Sequence, residues 1–475
     1  MEIRDTIAAI ATGLTDSGIG IVRISGENAV GIGNEIFRSP SGKKIICNAV
    51  DHMLYYGYAY DIERDFVIDE VMAVVMRAPK SFTGEDTVEI QCHGGVLVMQ
   101  KILDAALRCG ARLAEPGEFT KRAFLNGRID LSRAEAVMDV IRSQNDYALA
   151  SSVNQLKGML SEEIKRLRGE ILYEVAFIES AIDDPEHFST DGYQEKLSEK
   201  TNVLMDGIRK LIDTAENGRL IKEGINTVIV GKPNVGKSSL LNCLVGEERA
   251  IVTDVAGTTR DVLRETVRLD NICLNVVDTA GIRETEDTVE KIGVKRALEY
   301  ADDADLVIYV VDASVALDEN DREIISFIRD KNRIVLLNKT DLTGKVTEEE
   351  IENLFEEVLE DQVKNASNQL LKVVKTSFKD GSGMEEFEQA VKEMFFRGEI
   401  KSSNEIVITN MRHKKALEEA YASLALVRKS LDEGMPEDFY SIDLMDAYAS
   451  LGRIIGEEVD DDLVEEIFSK FCMGK

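Results

Sequence analysis

Three short strings occur in a fixed order along this chain of 475 residues: GKPNVGKS at Gly231–Ser238, DTAG at Asp278–Gly281 and NKTD at Asn338–Asp341. Each follows an apolar run of strand character, and that arrangement leaves few folds open. The first string fits G-x-x-x-x-G-K-[ST], a loop between a strand and a helix whose backbone N–H groups surround phosphates. Residues 226–230 read as a buried strand and 239–244 as the helix that follows. Gly231 and Gly236 allow the tight path, with Asn234, Val235 and Ser239 in the same stretch. Lys237 reaches the outer phosphates, and the Ser238 hydroxyl offers a ligand to magnesium. In the second string Asp278 holds magnesium through water, Thr279 and Ala280 follow, and the Gly281 amide senses the γ-phosphate. In the third, Asn338 and Lys339 precede Asp341, which accepts two hydrogen bonds from guanine N1 and N2. Adenine lacks that pair of donors, so the pattern selects GTP over ATP. Ser377, Phe378 and Lys379 follow another apolar strand, where a base-contacting loop is expected. One phosphate-loop pattern recurs by chance; three motifs in order, each after a strand, do not.

Between the first two strings, residues 251–261 form a threonine- and glycine-containing loop suited to ordering on a γ-phosphate. Thr259 is its candidate second hydroxyl ligand for magnesium. The position directly after DTAG, where related enzymes orient water with a glutamine, is Ile282. Another group must act, and Arg283, Glu284, Glu286 and Glu290 are nearby. Arg260 and Arg283 are the candidates for an internal arginine finger, or else ordinary surface charges. A cation between the β- and γ-phosphates could replace such a finger, and the Asn234 side-chain carbonyl is placed to ligate one.

A chain this long implies two or three domains. With 44% hydrophobic and 31% charged residues the composition is that of a globular protein. The net charge of −31 argues against an autonomous nucleic-acid binder. Six scattered cysteines without a C-x-x-C pair read as free thiols of a reducing compartment, and four dispersed histidines show no zinc site. The opening residues resemble neither a signal nor a transit peptide, and no stretch has the length of a membrane span. The expected location is cytoplasmic.

Residues 1–118 read as α+β, with strands at 19–24 and 71–76 and a helix at 96–107. From 119 to 221 the pattern turns helical. Val153, Leu156, Leu160, Ile164, Leu167, Ile171, Val175, Ile178 and Ile182 step by three or four and predict one helix face, broken at Asp184-Pro185. Residues 222–398 alternate strands (227–230, 274–277, 306–311, 334–337, 371–374) with helices, which predicts a mostly parallel sheet of Ras-like type. Residues 399–475 are helical again, with Leu417, Tyr421, Leu424, Val427 and Leu431 on one face. The expected architecture is thus multidomain: α/β plus all-α, a P-loop G domain inserted between two helical stretches that pack as one domain.

The N-terminal third carries GIVRISG at 20–26, SFTGED at 81–86, HGG at 93–95 and PGEFTKRAFLNG at 116–127, and residues 472–475 read Cys-x-Gly-Lys. These segments, with the nucleotide motifs, resemble the MnmE (TrmE) family of GTPases of bacterial tRNA wobble-uridine modification, over residues 1–475. The resemblance implies an N-terminal folate-binding domain, a helical domain in two parts and a G domain. It implies a homodimer formed through the N-terminal domain, with G domains approaching each other when GTP and potassium bind. It further implies a flavoprotein partner, MnmG (GidA), in a heterotetramer that adds an aminomethyl or carboxymethylaminomethyl group to the wobble uridine of tRNA. The one-carbon unit would come from a tetrahydrofolate derivative, in 5-formyl or methylene form. Carried over by residue, Asn234 falls on the potassium-ligating asparagine, with Thr253, Val255 and Thr258 on the loop that completes the cage. Ser238 and Thr259 match the magnesium ligands, and Glu290 the glutamate that orients water. Arg23, Glu89, Arg128 and Lys475 match the folate-contacting positions.

The chain departs from the family pattern in two places. Residues 13–17 replace a proline- and glycine-rich loop beside the folate site, and the base loop reads SFK where SAK is commoner. Several residues carry plainer expectations. Cys472 reads as a packing residue rather than a nucleophile, since no base lies beside it. His93 reads as a hydrogen-bonded turn histidine rather than a general base. The acidic run 457–462 reads as a solvated helix start or a dock for a basic partner. Lys121 and Arg122 read as tRNA contacts or surface cover. A regulatory or ribosome-assembly GTPase switch without modification chemistry is the competing function, and the segments at 20–26 and 472–475 argue against it.

Overall fold

The computed structural model describes residues 5–184, 187, 192–245, 264–269, 272–277, 304–360, 371–396, 405–457, 459, 461–472 and 474. The chain divides into two compact units. The first comprises Met1–Ile141, Val153–Met205 and Ala416–Lys475, and the second Arg142–Ser152 and Asp206–Lys415.

The first unit opens with β1 (Ile7–Ile10), β2 (Ser17–Ser25), α1 (Ala29–Ile36), β3 (Phe37–Arg38), β4 (Leu54–Asp61), β5 (Phe66–Met76), β6 (Thr87–Gly94), α2 (Val96–Arg108) and β7 (Arg112–Leu113). The strands form one sheet in the order β3-β4-β5-β6-β2-β1-β7. Every neighbouring pair is antiparallel except β1 and β7. Along β2, Gly20, Val22 and Ile24 are buried while Ile19, Ile21 and Arg23 face outward, the alternation a half-covered sheet requires. The buried face packs on Ile32 and Ile36 of α1 and Met99 and Ile102 of α2.

Helices follow: α3 (Glu118–Leu125), α4 (Leu131–Arg142), α5 (Asp146–Lys157), α6 (Met159–Asp183), α7 (Tyr193–Asp213) and α8 (Ala215–Glu223). The apolar stripe from Val153 to Ile182 does not lie on one helix. Gly158, at φ 97°, ends α5, and its carbonyl starts α6 by accepting from Glu162 N–H at 2.9 Å. A left-handed residue cannot continue a right-handed helix, and glycine adopts that conformation at little cost. Within α6 the stripe holds as a core seam from Leu160 to Ile178, while Ile182 is 44% exposed.

The second sheet is built from β8 (Ile225–Val230), β9 (Arg264–Leu269), β10 (Ile272–Val277), β11 (Leu306–Asp312), β12 (Arg333–Asn338) and β13 (Leu371–Lys375), in the order β13-β12-β11-β8-β10-β9. Only β9 and β10 pair antiparallel. Strands β11 and β12 are buried at every residue because helices cover both faces. Leu240 and Leu244 of α9 (Lys237–Val245) share one core with Ile308, Val310, Ile334 and Leu336. On the other face, Val307, Tyr309, Val335 and Leu337 meet Ile324 and Ile325 of α10 (Glu319–Ile328) and Phe355 of α11 (Glu348–Glu360). Phe387 and Val391 of α12 (Met384–Phe396) join the first of these cores. The remaining helices are α13 (Met411–Asp432), α14 (Glu437–Ile455) and α15 (Asp461–Ser469). The predicted face of α13 is a core face: Leu417, Leu424, Val427 and Leu431 are buried. The architecture is therefore α/β plus all-α, with a mixed N-terminal sheet and a mostly parallel second sheet.

Candidate functional site

The phosphate loop joins β8 to α9. Gly231 has φ 149° and Gly236 φ 113°. A Cβ on Gly231 would lie 2.5 Å from the Val310 carbonyl oxygen, and one on Gly236 2.4 Å from Asn338 Nδ2. Both positions therefore need glycine for space as well as for backbone freedom. Asn234, at φ 60°, is the non-glycine residue of the loop in the left-handed region, which asparagine tolerates better than most. The Lys237 ammonium lies inside the loop and donates to the carbonyls of Gly231 at 2.7 Å and Lys232 at 2.8 Å. Ser238 and Ser239 stand exposed in the first turn of α9, where helix N–H groups and the helix dipole favour an anion.

The NKTD loop is fastened onto the phosphate loop. Asn338 Nδ2 donates to the Val235 carbonyl at 2.8 Å, while its Oδ1 accepts from the Phe378 N–H at 3.2 Å. This buried side chain thus ties the phosphate loop to the base loop. Lys339 donates to the Asn234 carbonyl at 2.9 Å and to Asp312 Oδ2 at 2.6 Å. Burial pushes the Asp312 carboxyl up, but hydrogen bonds from Lys339 and Ser314 outweigh it and hold the group below its ordinary value. Thr340 Oγ1 donates to the Thr376 carbonyl at 3.0 Å, so the loops after β12 and β13 meet. Asp341 Oδ1 accepts from Ser377 Oγ at 3.5 Å, and Lys379 Nζ stands 4.0 Å from its other oxygen. Asn234, Val235, Gly236, Lys237, Asn338, Lys339, Asp341, Ser377, Phe378 and Lys379 are therefore gathered at one edge of the sheet. Strand β10 ends at Val277, immediately before Asp278. Asp278, Thr279, Ala280, Gly281, Ile282, Arg283, Glu284, Glu286 and Glu290 lie outside the described residues, as do Thr253, Val255, Thr258, Thr259 and Arg260.

A second constellation forms on the N-terminal sheet. Arg23 on β2 and Glu89 on β6 are cross-strand partners, paired Nε to Oε1 at 2.7 Å. Arg23 Nη1 also donates to the Gly474 carbonyl at 3.4 Å. Its guanidinium sits 5.9 Å from the ring centre of Phe82 and 5.6 Å from that of Phe119. Arg128 Nε donates to the Phe82 carbonyl at 3.1 Å, which brings Arg128 to the same loop. The segment after α15 reaches this place by two close approaches. Gly117 N–H donates to the Cys472 carbonyl at 3.3 Å, and a Cβ on Gly474 would lie 2.3 Å from the Ile10 carbonyl oxygen. Arg23 and Glu89 thus meet beside residue 474, and Arg128 reaches the Phe82 loop that flanks Arg23; Lys475 lies outside the described residues.

Three expectations need correction. Arg122 neither covers the surface nor is open to RNA. It is 1% exposed and binds Asp5 at 2.7 Å, Glu118 at 3.0 Å and Glu85 at 3.3 Å, because a guanidinium buried that deeply requires carboxylates. Cys472 does not fill a packing site: it is exposed, and Phe471 beside it takes the buried place. His93 is hydrogen-bonded as expected but lies within β6, next to its last residue, instead of in a turn; its Nδ1 stands 2.8 Å from Asp69 Oδ1, which raises its pKa above the ordinary value. In the acidic run, Glu457 pairs with Arg168. Among the described residues no cluster of His, Cys, Asp and Glu could hold a metal, and no helix is long and apolar enough to cross a membrane.

A family model described as "GTP-binding protein TrmE N-terminus" matches residues 6–128, and one described as "MnmE helical domain" matches residues 131–472. Three relatives carry the description tRNA modification GTPase MnmE. That of Lachnoclostridium phytofermentans is 54% identical over 99% of both chains. Those of Clostridioides difficile and Acetivibrio thermocellus are 49% and 46% identical over the whole of both chains. The chain belongs to the MnmE family. A solved structure of a point variant of Aquifex aeolicus Era bound to GDP.AlF4- is also similar, at 28% identity and TM-score 0.27, over 42% of this chain and 67% of that one.

Several residues of this MnmE chain escape motif reading. Asp312 at the end of β11 and the pair Lys232 and Asp321 brace the nucleotide loops, yet no string contains all three. Phe82 and Phe119 flank Arg23, and only their positions inside the SFTGED and PGEFTKRAFLNG segments hinted at a site role. An acid at the C-terminal end of a buried strand, as Asp312 is, was the one local signal available.

Proposed function

We propose that this protein is a GTP hydrolase that takes part in modifying the wobble uridine of tRNA. The single observation that supports it most is the fastening of the NKTD loop to the phosphate loop through Asn338 and Lys339. That bracing fixes the distance between a phosphate cradle and a guanine-reading carboxylate, Asp341. The residues present fit the ions the reaction needs. Ser238 offers a hard hydroxyl oxygen of the kind magnesium takes, and Asn234 offers an exposed amide oxygen for potassium. Ser238 with Thr259 would hold magnesium and Asn234 with Thr253, Val255 and Thr258 would hold potassium, and the two ions would supply charge neutralisation at the phosphates. Lys237 adds its own positive charge, Asp278 holds magnesium through water, the Gly281 amide senses the γ-phosphate, and Glu290 orients the attacking water.

The modification half rests on Arg23, Glu89, Arg128 and Lys475. A carboxylate acceptor beside guanidinium donors suits a tetrahydrofolate derivative, which carries both ring N–H groups and carboxylates. The proposed whole is a cytoplasmic homodimer acting on tRNA with MnmG in a heterotetramer. Its parts are a folate-binding and dimerisation domain over 1–118, a helical domain over 119–221 and 399–475, and a G domain over 222–398. The test is GTP turnover by the purified protein in potassium against sodium. Turnover should be about tenfold faster or more in potassium, and Asn234→Ala should erase the difference. Equal rates in the two salts for the wild-type protein would overturn the ion assignment.

A further inference from the structure

We infer that Asp321 is a positioning residue for the phosphate loop, acting through Lys232; the inference rests on the GTP-binding reading above. Asp321 is the third residue of α10 and is 1% exposed. Both of its oxygens are engaged. Oδ1 accepts from the Tyr309 hydroxyl at 2.6 Å, and Oδ2 accepts from Lys232 Nζ at 2.6 Å and from the Asp318 N–H at 2.8 Å. Capping the helix requires only the last of these bonds, and an exposed carboxylate makes it equally well. Burying a charge costs several kcal/mol unless it is paired, so the depth of this one calls for a cation. The cation comes from the phosphate loop itself, and Asp318 Oδ2 stands 3.1 Å from the same ammonium.

Lys232 has a second contact that gives the anchor its role. Its carbonyl is one of the two that accept from the Lys237 ammonium. The peptide that sets the phosphate-binding lysine is therefore the one whose side chain Asp321 holds. The far half of the loop is held separately, at Asn234 and Val235, by Lys339 and Asn338. The loop is held at both ends by the protein's own side chains: α10 and β11 hold one end, and the NKTD loop holds the other. A prefixed loop loses less freedom on binding, so removing one anchor should weaken binding without slowing the chemical step.

A through-space effect predicts the opposite sign. Neutralising a carboxylate near a phosphate site should by charge alone tighten an anion. The test uses the full-length protein with fluorescent GTP and GDP analogues, steady-state GTP turnover and thermal unfolding. The variants are Asp321→Asn, Lys232→Met, Lys232→Arg and Tyr309→Phe. Asp321→Asn and Lys232→Met should each weaken both nucleotides about tenfold, the scale of one charge-assisted hydrogen bond, raising KM with little change in kcat. Lys232→Arg keeps the ion pair and should bind within about threefold of wild type, with Tyr309→Phe between the two groups. A folded Asp321→Asn that binds as well as or better than wild type overturns the inference. If that variant does not fold, Lys232→Met decides in the same way: wild-type affinity overturns it, and a loss that Lys232→Arg restores supports it. Failure of the wild-type protein to bind GTP would instead remove the reading on which the anchor rests.

Discussion

The nucleotide loops gather at the strand ends of one sheet and the Arg23 cluster on the outward face of another, and the two are assembled over different lengths of chain. Asn338 reaches Val235 across 103 residues, whereas Arg23 reaches Gly474 across 451. The nucleotide loops leave the C-terminal ends of strands in one parallel sheet, so forming the sheet aligns them. The Arg23 cluster has no such guarantee. Sheet register supplies Arg23 opposite Glu89, but residue 474 arrives only because Gly117 and Gly474 let two backbones approach closely. One site follows from its fold class; the other depends on particular contacts and should be easier to disable without unfolding anything.

The largest effect should come from the buried charges beneath the second site. Arg122→Met removes the buried guanidinium that Glu85 pairs with and leaves Asp5 and Glu118 with Arg112 alone, at a cost of about 3 kcal/mol. Denaturant unfolding should show the loss in the N-terminal region, with GTP affinity kept; a loss of GTP binding in the folded variant would break the separation. Next in size is a reciprocal pair. Asp341→Asn replaces an acceptor of two guanine bonds with a mismatched amide and should weaken GTP on the order of 100-fold while leaving formyl-tetrahydrofolate binding intact. Deleting residues 472–475 should do the reverse, weakening the folate about tenfold. If either change harms both ligands, the two sites are not independent.

The smallest effect concerns pH. Burial pushes the Glu118 carboxyl up, but hydrogen bonds from Arg112, the Glu115 N–H and Arg122 outweigh it and hold the group below 4.5. A depressed carboxyl contributes its stability in full above its unfolded value, and that contribution is lost as pH falls through the folded one. Acidification below about pH 4.5 should therefore destabilise the wild-type N-terminal region more than that of a chain carrying both Arg112→Met and Arg122→Met. Equal acid sensitivity would show that the cluster is not the cause.

How much of this was legible in the sequence follows from the same contrast. In the second sheet every strand but β9 was readable, because buried apolar runs report burial directly, whereas in the N-terminal sheet only β2 and β5 were read; β3 and β7 are two residues long, too short for a pattern. The nucleotide residues were readable because each occupies a fixed offset from a strand end. Gly158 was not, since a glycine inside a helical stripe keeps the periodicity even where the backbone turns left-handed. Arg122 was misread because a buried arginine and an exposed one look alike in sequence, and its three acids are scattered from Asp5 to Glu118. The braces of the phosphate loop were invisible for a related reason: Lys232 sits at a variable position of the pattern, and Asp321 comes near it in space but not in sequence.

On the proposed function, GTP hydrolysis and a folate site in one chain together serve tRNA uridine modification. Nucleoside analysis of tRNA by mass spectrometry tests it most directly, in cells lacking this protein and in cells restored with wild type, Asp341→Asn or the chain without residues 472–475. Aminomethyl and carboxymethylaminomethyl wobble uridines should vanish without the protein, return with the wild type, and be restored only in part with either variant. Unchanged wobble uridines in cells lacking the protein would contradict it.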